Sequence, residues 1–211
     1  MIETVFKEKL NKKICIALGF FDCMHTGHRE LLSCAMEKAK RNNALTAVFT
    51  FCNNHFNALH IDNKLLYTYE ERKLIFESLG VDVCVYAKFD ETFRDKTSDE
   101  FLKDIFAYDL AGIVCGYDYT YGSDKATADK LSAECKKRSI PFVMVKEVSD
   151  NGVKISSTLI KKYISENNIT KANEFLSEKF FITGSVVEGR HIGSIIGFPT
   201  ANLEVSVDKY L

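Results

Sequence analysis

Short apolar runs rich in β-branched residues alternate with longer amphipathic runs along most of this 211-residue chain. The longer runs carry apolar residues at helical spacing, as in HRELLSCAMEKAKR. Strands that alternate with helices form β-α-β units, which build a parallel sheet covered by helices on both faces. The sequence therefore predicts an α/β fold with five strands in the runs ICIALGFF, LTAVFTF, VDVCVYAKF, LAGIVCGY and PFVMVKEV.

Two of the amphipathic runs carry boundary signals. Ser98 precedes the apolar residues of SDEFLKDIFAY and is predicted to be the N-cap, because its hydroxyl can accept a hydrogen bond from a free backbone N–H. Gly80 is predicted to close the helix YEERKLIFESLG, since glycine adopts the left-handed conformation freely. After Asn168 the pattern changes to one short helical run, ITKANEFLSEKF, followed by strand-like and loop-like segments.

The composition limits the classes of function and the compartment. With a formal net charge of −1, the chain lacks the excess of positive charge that attracts nucleic acid or an anionic membrane, so neither is expected as a partner. The seven cysteines are odd in number and lack C-x-x-C spacing, which favours free thiols in a reducing compartment. The N-terminus is charged, and no apolar stretch reaches ~18 residues, so neither a signal peptide nor a membrane span is expected. These features predict a cytoplasmic protein.

Three unusual segments follow predicted strands. GFFDCMHTGH comes after the first strand, GYDYTYGSD after the fourth and VKISSTLIKKYI after the fifth. Ligands of parallel sheets bind beyond the carboxyl ends of the strands. We therefore expect the three segments to converge on one edge of the sheet.

The first of these segments places His25 and His28 three residues apart at an expected helix start. Both imidazoles would lie on one face, near free backbone N–H groups and the positive end of the helix dipole, which favours phosphate. Gly19 and Gly27 remove side chains where a nucleotide would approach closely. Zinc binding is an alternative, although a third nearby ligand is missing, and a turn with incidental histidines is another.

The other two segments also allow two interpretations each. Ser156, Ser157 and Thr158 precede a helical run that contains Lys161 and Lys162, so they form either an anion cradle or a plain helix cap. GYDYTYG is either a tyrosine-rich turn or a wall for a flat aromatic substrate. In the second case its polar anchor is Asp118, which lies among Tyr117, Tyr119 and Tyr121.

Together the segments resemble the adenylyltransferase module of the bacterial bifunctional riboflavin kinase/FAD synthetase family. The family pattern runs G-x-F-D-G-x-H-x-G-H, T-F, G-x-D-F-x-F-G, I-S-S-T-x-I-R and G-F-P-T-A-N. This chain has GFFDCMHTGH, TF, GYDYTYG, ISSTLIK and GFPTAN in the same order. HTGH alone is shared by the wider nucleotidyltransferase superfamily, whereas GYDYTYG and GFPTAN make the resemblance specific.

The resemblance implies a Rossmann-like domain that converts ATP and FMN to FAD and diphosphate with Mg²⁺. The FMN phosphate would attack the α-phosphorus of ATP in line, without a covalent enzyme intermediate. His25 and His28 would be catalytic and would stabilise charge on the phosphates in the transition state. The resemblance also implies a flavin site with Tyr117, Asp118 and Tyr119, and an ATP site made by Gly19, Phe20, Phe21, Asp22, Gly27, Ser156, Ser157, Thr158 and Lys161.

Departures from the family pattern affect the expected affinity for the nucleotide and for pyrophosphate. The family has a Pro-His-Pro segment after Thr-Phe, whereas residues 52–56 read CNNHF. Cys23 stands where glycine is usual, and Leu159 and Lys161 stand where the family has basic residues. Lysine lacks the bidentate fork of arginine, so we expect weaker nucleotide or pyrophosphate binding with the activity retained.

The resemblance divides the chain into three parts: an FMN adenylyltransferase domain over residues 1–168, a connecting helix over 169–180, and an incomplete, riboflavin kinase-like β-barrel fragment over 181–211. In that fragment, Thr200 and Asn202 would contact Mg²⁺ and nucleotide phosphate. The fragment has too few residues to close a barrel, so no riboflavin kinase activity is expected.

Two other functions stay open on the sequence alone. One is a non-catalytic flavin- or nucleotide-binding derivative of the same fold, suggested by the missing Pro-His-Pro and arginine. The other is a nucleotidyltransferase for a different phosphorylated substrate, which would share HTGH without needing GYDYTYG or GFPTAN.

Overall fold

The computed structural model describes residues 1–189, 197–198 and 200–211. In this part of the chain the strands are β1 (Ile2–Val5), β2 (Ile14–Leu18), β3 (Leu45–Phe51), β4 (Val83–Ala87), β5 (Leu110–Gly116), β6 (Thr120–Tyr121), β7 (Ala126–Thr127), β8 (Phe142–Val145), β9 (Ser149–Asp150), β10 (Val153–Lys154), β11 (Ser185–Val187) and β12 (Asn202–Glu204). The helices are α1 (Thr26–Arg41), α2 (His55–Ala58), α3 (Tyr69–Ser78), α4 (Glu91–Arg94), α5 (Ser98–Ile105), α6 (Ala128–Lys137), α7 (Ser157–Ser165) and α8 (Ile169–Phe175).

Six strands form one parallel sheet in the order β1-β4-β3-β2-β5-β8. The chain runs outward from β2 through β3 to β4 and then returns to the other side of β2 as β5. This reversal leaves a crevice beyond the carboxyl ends of β2 and β5, where open parallel sheets bind ligands. The predicted α/β fold is confirmed, and its topology places the crevice where two of the three unusual segments begin.

Two apolar clusters lie on opposite faces of the sheet, because side chains of a strand point alternately to either side. Cys15 and Ala17 of β2 belong to one cluster, which also contains side chains of α1, α3, α7 and α8. Ile14 and Ile16 belong to the other, with side chains of α5 and α6. Every residue of β2 is buried, so the crevice opens at the end of the most enclosed strand.

The strand β1 was not predicted from the sequence. It lies at the edge of the sheet and pairs in parallel with β4. Its four residues, IETV, include one buried residue, Thr4, and three that are not buried. A run this short and polar lacks the apolar signal on which strand prediction depends.

The predicted boundary of α5 was wrong by one residue. Thr97 is the N-cap, because its side chain accepts a hydrogen bond from the Glu100 N–H while the Glu100 carboxylate accepts one from the Thr97 N–H. Ser98 is the first helical residue, and its hydroxyl donates to Asp124 Oδ2 at 2.5 Å. The prediction for α3 is confirmed: Gly80 follows the helix with a φ of 84°.

Beyond α8, strands β11 and β12 form an antiparallel pair whose residues are exposed. Residues 190–196 and Pro199, which belongs to the GFPTAN run, lie outside the described residues. All seven cysteines are free. Among the helices of the described segments, none is long and apolar enough to cross a bilayer.

Candidate functional site

The histidine pair lies at the start of α1, as the sequence predicts. His25 is the N-cap residue, and its Nδ1 accepts a hydrogen bond from the His28 backbone N–H at 3.3 Å. Because Nδ1 of the neutral ring acts as an acceptor, the proton resides on Nε2, which is then a hydrogen-bond donor. The fold therefore fixes the tautomer of His25.

The two imidazoles stack on each other, with ring centroids 3.8 Å apart. A Cβ on Gly27 would lie 3.0 Å from Cε1 of His25, so the glycine makes room for this imidazole as well as opening the cavity that it lines. Burial lowers the pKa of His25 to about 4 and holds the pKa of His28 well below its usual value. Both rings are therefore neutral at pH 7, which allows them to stack without charge repulsion.

The hydroxyl cluster also lies at a helix start. Ser156 is the N-cap of α7, and its Oγ accepts a hydrogen bond from the Leu159 N–H at 3.3 Å. Ser157 and Thr158 are the first two residues of the helix. Their hydroxyls lie beside backbone N–H groups that the helix leaves unpaired, which is an arrangement that binds anions.

A cavity of about 330 Å³ brings the three sequence segments together, and we call it the polar cavity. Its lining includes the two histidines, Gly27, Tyr117, Asp118 and all three residues of the hydroxyl cluster. The expected convergence of the segments is thus seen in the structure. The cavity unites imidazoles, hydroxyls and helix N-termini around one space.

A second cavity of about 520 Å³ adjoins the first, and we call it the aromatic cavity. Its lining is mainly aromatic: Phe20, Phe49, Phe51, Phe89, Phe93, Phe101, Tyr119 and Tyr121, with His55. Of the residues that the structure describes, four line both cavities: His28, Leu31, Gly116 and Asp118. We call these four residues the shared wall.

The tyrosines of GYDYTYG divide between the two cavities. Tyr119 and Tyr121 line the aromatic cavity, and their rings stack with centroids 5.8 Å apart. Tyr117 lines the polar cavity instead, and its hydroxyl donates to Glu147 Oε2 at 2.6 Å. Of the predicted flavin residues, Tyr119 and Asp118 therefore lie beside the aromatic space and Tyr117 does not.

Lys154 is a cation of the polar cavity that the sequence reasoning missed. Its Nζ donates to Asp118 Oδ2 at 3.1 Å and to the hydroxyl of Tyr117. The hydrogen bond to Tyr117 raises the pKa of Lys154. The side chain of Lys154 is 44% exposed, so a ligand can reach it. Its position two residues before Ser156, within the same VKISST run, was the signal that could have identified it.

Lys161, Asp22 and Phe21 were predicted to belong to the ATP site, but they line neither cavity. Lys161 Nζ lies 2.9 Å from Asp22 Oδ2 and donates to the Lys64 carbonyl at 2.6 Å. Phe21 is fully buried and its ring contacts Phe76. These side chains support the loop before α1, whereas the predicted residues Gly19 and Phe20 line the aromatic cavity.

Thr200 and Asn202 are the predicted kinase-module residues. Thr200 lies just before β12, and Asn202 is the first residue of that strand. Asn202 pairs with Val187 in the ladder between β11 and β12, and both predicted residues are exposed. Neither lines the polar or the aromatic cavity. The structure therefore does not bring them together with the histidines.

The donor groups of the polar cavity limit which metal ion it can hold. Stacked rings in nearly parallel planes cannot both direct a nitrogen at one ion, so the histidine pair does not form a zinc site. Within residues 1–189, 197–198 and 200–211, there is no group of three or more His, Cys, Asp or Glu that could hold a metal. Mg²⁺ usually takes only one or two protein carboxylates together with substrate phosphates. Asp118 is a carboxylate of the polar cavity of the kind that a nucleotide-bound Mg²⁺ would take, and in this structure its Oδ2 accepts a hydrogen bond from Lys154 Nζ at 3.1 Å.

Comparison with protein-family models gives two matches along the chain. The family model described as FAD synthetase matches residues 7–159, and the one described as riboflavin kinase matches residues 176–211. A solved structure described as a macrolide-efflux protein from Streptococcus pneumoniae has a TM-score of 0.86 and 31% identity. It covers 100% of this chain, which in turn covers 71% of that chain.

Curated relatives carry both activities in their names. The bifunctional riboflavin kinase/FMN adenylyltransferase of Buchnera aphidicola subsp. Schizaphis graminum is 32% identical over 94% of this chain and 65% of its own length. The protein of the same name from Bacillus subtilis is 30% identical over 94% of this chain and 64% of its own length. This chain thus spans just under two thirds of these relatives. Because the FAD synthetase model matches residues 7–159, well over half of the sequence, the chain belongs to the FAD synthetase family.

Proposed function

We propose that this chain is an FMN adenylyltransferase, which transfers the AMP part of ATP to FMN and releases diphosphate. The observation that carries the proposal is the shared wall between the polar and the aromatic cavities. An enzyme that joins a flavin to a nucleotide needs two sites that meet where the new bond forms. Membership of the FAD synthetase family and the names of the curated relatives support the same reaction.

The aromatic cavity suits the flavin ring system. Its volume of about 520 Å³ lies within the range of small-ligand sites, and the aromatic rings offer faces and edges to a flat conjugated ligand. The lining also includes Arg94 and Lys96, which are polar partners for the flavin carbonyls or ribityl hydroxyls. The FMN phosphate would then point toward the shared wall and the histidines.

The polar cavity suits the triphosphate. In the reaction, a phosphate oxygen of FMN forms a bond to the α-phosphorus of ATP. The bond from that phosphorus to the oxygen bridging to the β-phosphate breaks, and this oxygen leaves with diphosphate. Ser157, Thr158 and the helix N-terminus would hold the departing phosphates, and Lys154 would balance their charge.

The histidines would act as neutral hydrogen-bond donors. Nε2–H of His25 would donate to a phosphate oxygen on which negative charge increases as the transition state forms. Neutral rings fixed by the fold need no reorganisation at that moment, so most of the rate enhancement would come from positioning and electrostatics. Magnesium bound with ATP would neutralise phosphate charge, with Asp118 as its protein ligand.

The same proposal includes ATP and FMN as the small-molecule partners and the cytoplasm as the compartment. The seven free thiols are what a reducing compartment would preserve.

Incubating the chain with ATP, Mg²⁺ and FMN and following FAD and diphosphate tests the proposal. We expect the two products in equal amounts. Binding of FMN without formation of FAD would instead indicate a flavin-binding derivative. Faster transfer to another phosphorylated acceptor at the same ATP concentration would indicate a nucleotidyltransferase of different specificity.

A further inference from the structure

The loop between β2 and α1 has a backbone that local sequence does not favour. Phe21 has a φ of 61° and Met24 a φ of 43°, both in the left-handed region where a side chain is unfavourable. Residues in this conformation persist only where surrounding contacts fix them. Since His25 follows directly, the contacts that fix this loop also fix the imidazole.

One set of contacts comes from the chain just after α8. The Met24 carbonyl accepts a hydrogen bond from the Ser177 N–H at 2.8 Å. His25 and Leu176 form an isolated antiparallel β-bridge. The backbone on both sides of the histidine N-cap is therefore held by residues 176–177, where the match to the riboflavin kinase family begins.

A second set of contacts comes from Lys209, near the other end of that match. Its ammonium is fully buried and donates to the Leu66 carbonyl at 2.5 Å, to Glu71 Oε2 at 2.7 Å and to the Phe181 carbonyl at 3.0 Å. Three N–H groups thus meet three acceptors. Leu66 in turn donates its own N–H to Asp22 Oδ1 at 2.7 Å. Two consecutive hydrogen bonds therefore connect Lys209 to the middle of the strained loop.

The residues around Lys209 are docked by further specific contacts. The Leu65 N–H donates to the Asp208 carbonyl, and the Tyr210 N–H donates to the Leu65 carbonyl, both at 2.7 Å. Asp208 Oδ1 also accepts hydrogen bonds from the side-chain amides of Asn54 and Asn57 at 3.2 Å each. Asn54 lies in the CNNHF segment, where the family pattern has Pro-His-Pro. In this chain, side-chain hydrogen bonds to Asp208 anchor that segment.

We propose that Lys209 is a positioning residue for adenylyl transfer, which acts through Leu66 and Asp22 on the loop that carries His25. Residues matched to the riboflavin kinase family would then be a working part of the adenylyltransferase site. The kinetic part of this inference rests on the proposed function, whereas the structural part does not.

The choice of variant follows from the buried ion pair. Replacing Lys209 alone would leave the Glu71 carboxylate buried without its cation, which would destabilise the whole fold and obscure a local effect. The double variant E71Q/K209M removes both charges and still removes the donor to the Leu66 carbonyl. The matched control is K171M/E174Q, which removes an exposed ion pair from α8.

The test uses the full chain and two measurements. Hydrogen exchange followed by mass spectrometry should show exchange of residues 20–28 at least about tenfold faster in E71Q/K209M, with β2 and α6 unchanged. Steady-state kinetics should show kcat lowered about tenfold, while the dissociation constant of FMN changes less than about twofold. A general loss of packing would weaken FMN binding and speed exchange throughout, so it would not give this pattern.

Wild-type exchange over residues 20–28 in folded E71Q/K209M would overturn the inference, as would an equal effect of the control. If circular dichroism shows that the double variant does not fold, D208A loosens the same segment more mildly. We expect D208A to speed exchange over residues 20–28 and to lower kcat two- to threefold, and wild-type values would count against the proposal. A wild-type chain that makes no FAD would refute the proposed function, while the exchange measurement would still test the structural role of Lys209.

Discussion

The imidazole planes of His25 and His28 are only 17° from parallel, and the ring centroids are 3.8 Å apart. Two protonated rings would repel each other strongly at this separation, particularly in a partly buried site. Burial keeps the pKa of both histidines low, so the stack is stable at neutral pH. The stack thereby couples the geometry of the site to its protonation state.

The first prediction concerns stability against pH. The pKa of His25 is about 4 in the folded chain and about 6.5 in the unfolded chain. Between these values the unfolded chain binds a proton that the folded chain does not, so the free energy of unfolding falls as pH decreases through this window. The loss due to His25 is at most about 3.4 kcal/mol. Urea unfolding at pH 7.5, 6 and 5 should show a shallower pH dependence for H25N than for the wild type.

The matched control for this measurement is H60Q, because His60 is exposed. This variant removes one imidazole from the surface and leaves the stack of His25 and His28 in place. An H25N variant whose unfolding midpoint falls with pH as steeply as that of the wild type would contradict the assigned environment of His25.

The second prediction concerns the role of His28, which belongs to the shared wall. Exchanging His28 for Ala should lower kcat by about 10²–10³, the usual cost of removing one donor that stabilises charge in a transition state. The dissociation constant of FMN, followed by flavin fluorescence, should change less than about threefold. Equal turnover of H28A and wild type would refute the assigned role.

The third prediction separates the two tyrosines of the GYDYTYG segment. Y119L removes an aromatic ring from the aromatic cavity and should weaken FMN binding about tenfold, or ~1.4 kcal/mol. Y117L changes the polar cavity and serves as the matched control, with FMN affinity within about twofold of wild type. The chain has no tryptophan, so flavin fluorescence titrations are free of tryptophan emission. The reverse ranking of the two variants would place the flavin elsewhere.

The fourth prediction concerns Lys154, which we propose balances the charge of the ATP phosphates. K154M should raise the KM for ATP about tenfold, because Lys154 lies in the polar cavity and is accessible to a ligand. K162M removes a lysine of α7 that points to Glu166 on the helix surface, and it should leave the KM unchanged. If both substitutions raised the KM for ATP to a similar extent, Lys154 would act only through the net charge of the protein and not through a direct contact with ATP.

The sequence predicted the features that depend on local pattern. The buried strand before Gly19, the helix start at the histidine pair and the helix cap within the cluster of Ser156, Ser157 and Thr158 all follow from apolar periodicity and capping chemistry. Their meeting at one edge of the sheet follows from the rule for parallel strands. Predicting these features does not require knowing which residues far apart in the sequence are in contact.

The features that the sequence did not predict depend on distant contacts. The sequence alone does not distinguish Lys161 from Lys154 as a ligand for phosphate. In the structure Lys161 lies on α7 and contacts Asp22, whereas Lys154 precedes α7 and lines the polar cavity. Lys209 lies 138 residues from its partner Glu71, and no local pattern relates two charges that far apart. The N-cap at Thr97 has a local cause instead: Thr97 and Glu100 form a capping box, whose T-x-x-E spacing is visible in the sequence.

The four residues that separate the two cavities have a consequence for redesign of this chain. Under the proposed function, replacements at Phe89 or Phe93, which line the aromatic cavity only, would change the selectivity for isoalloxazine analogues and leave the polar cavity unchanged. Leu31 and Gly116 line both cavities. Under the proposed function, replacing either residue would change the selectivity for the flavin and the binding of ATP together. Under the proposed function, the two substrates can be tuned independently only through residues that line one cavity and not the other.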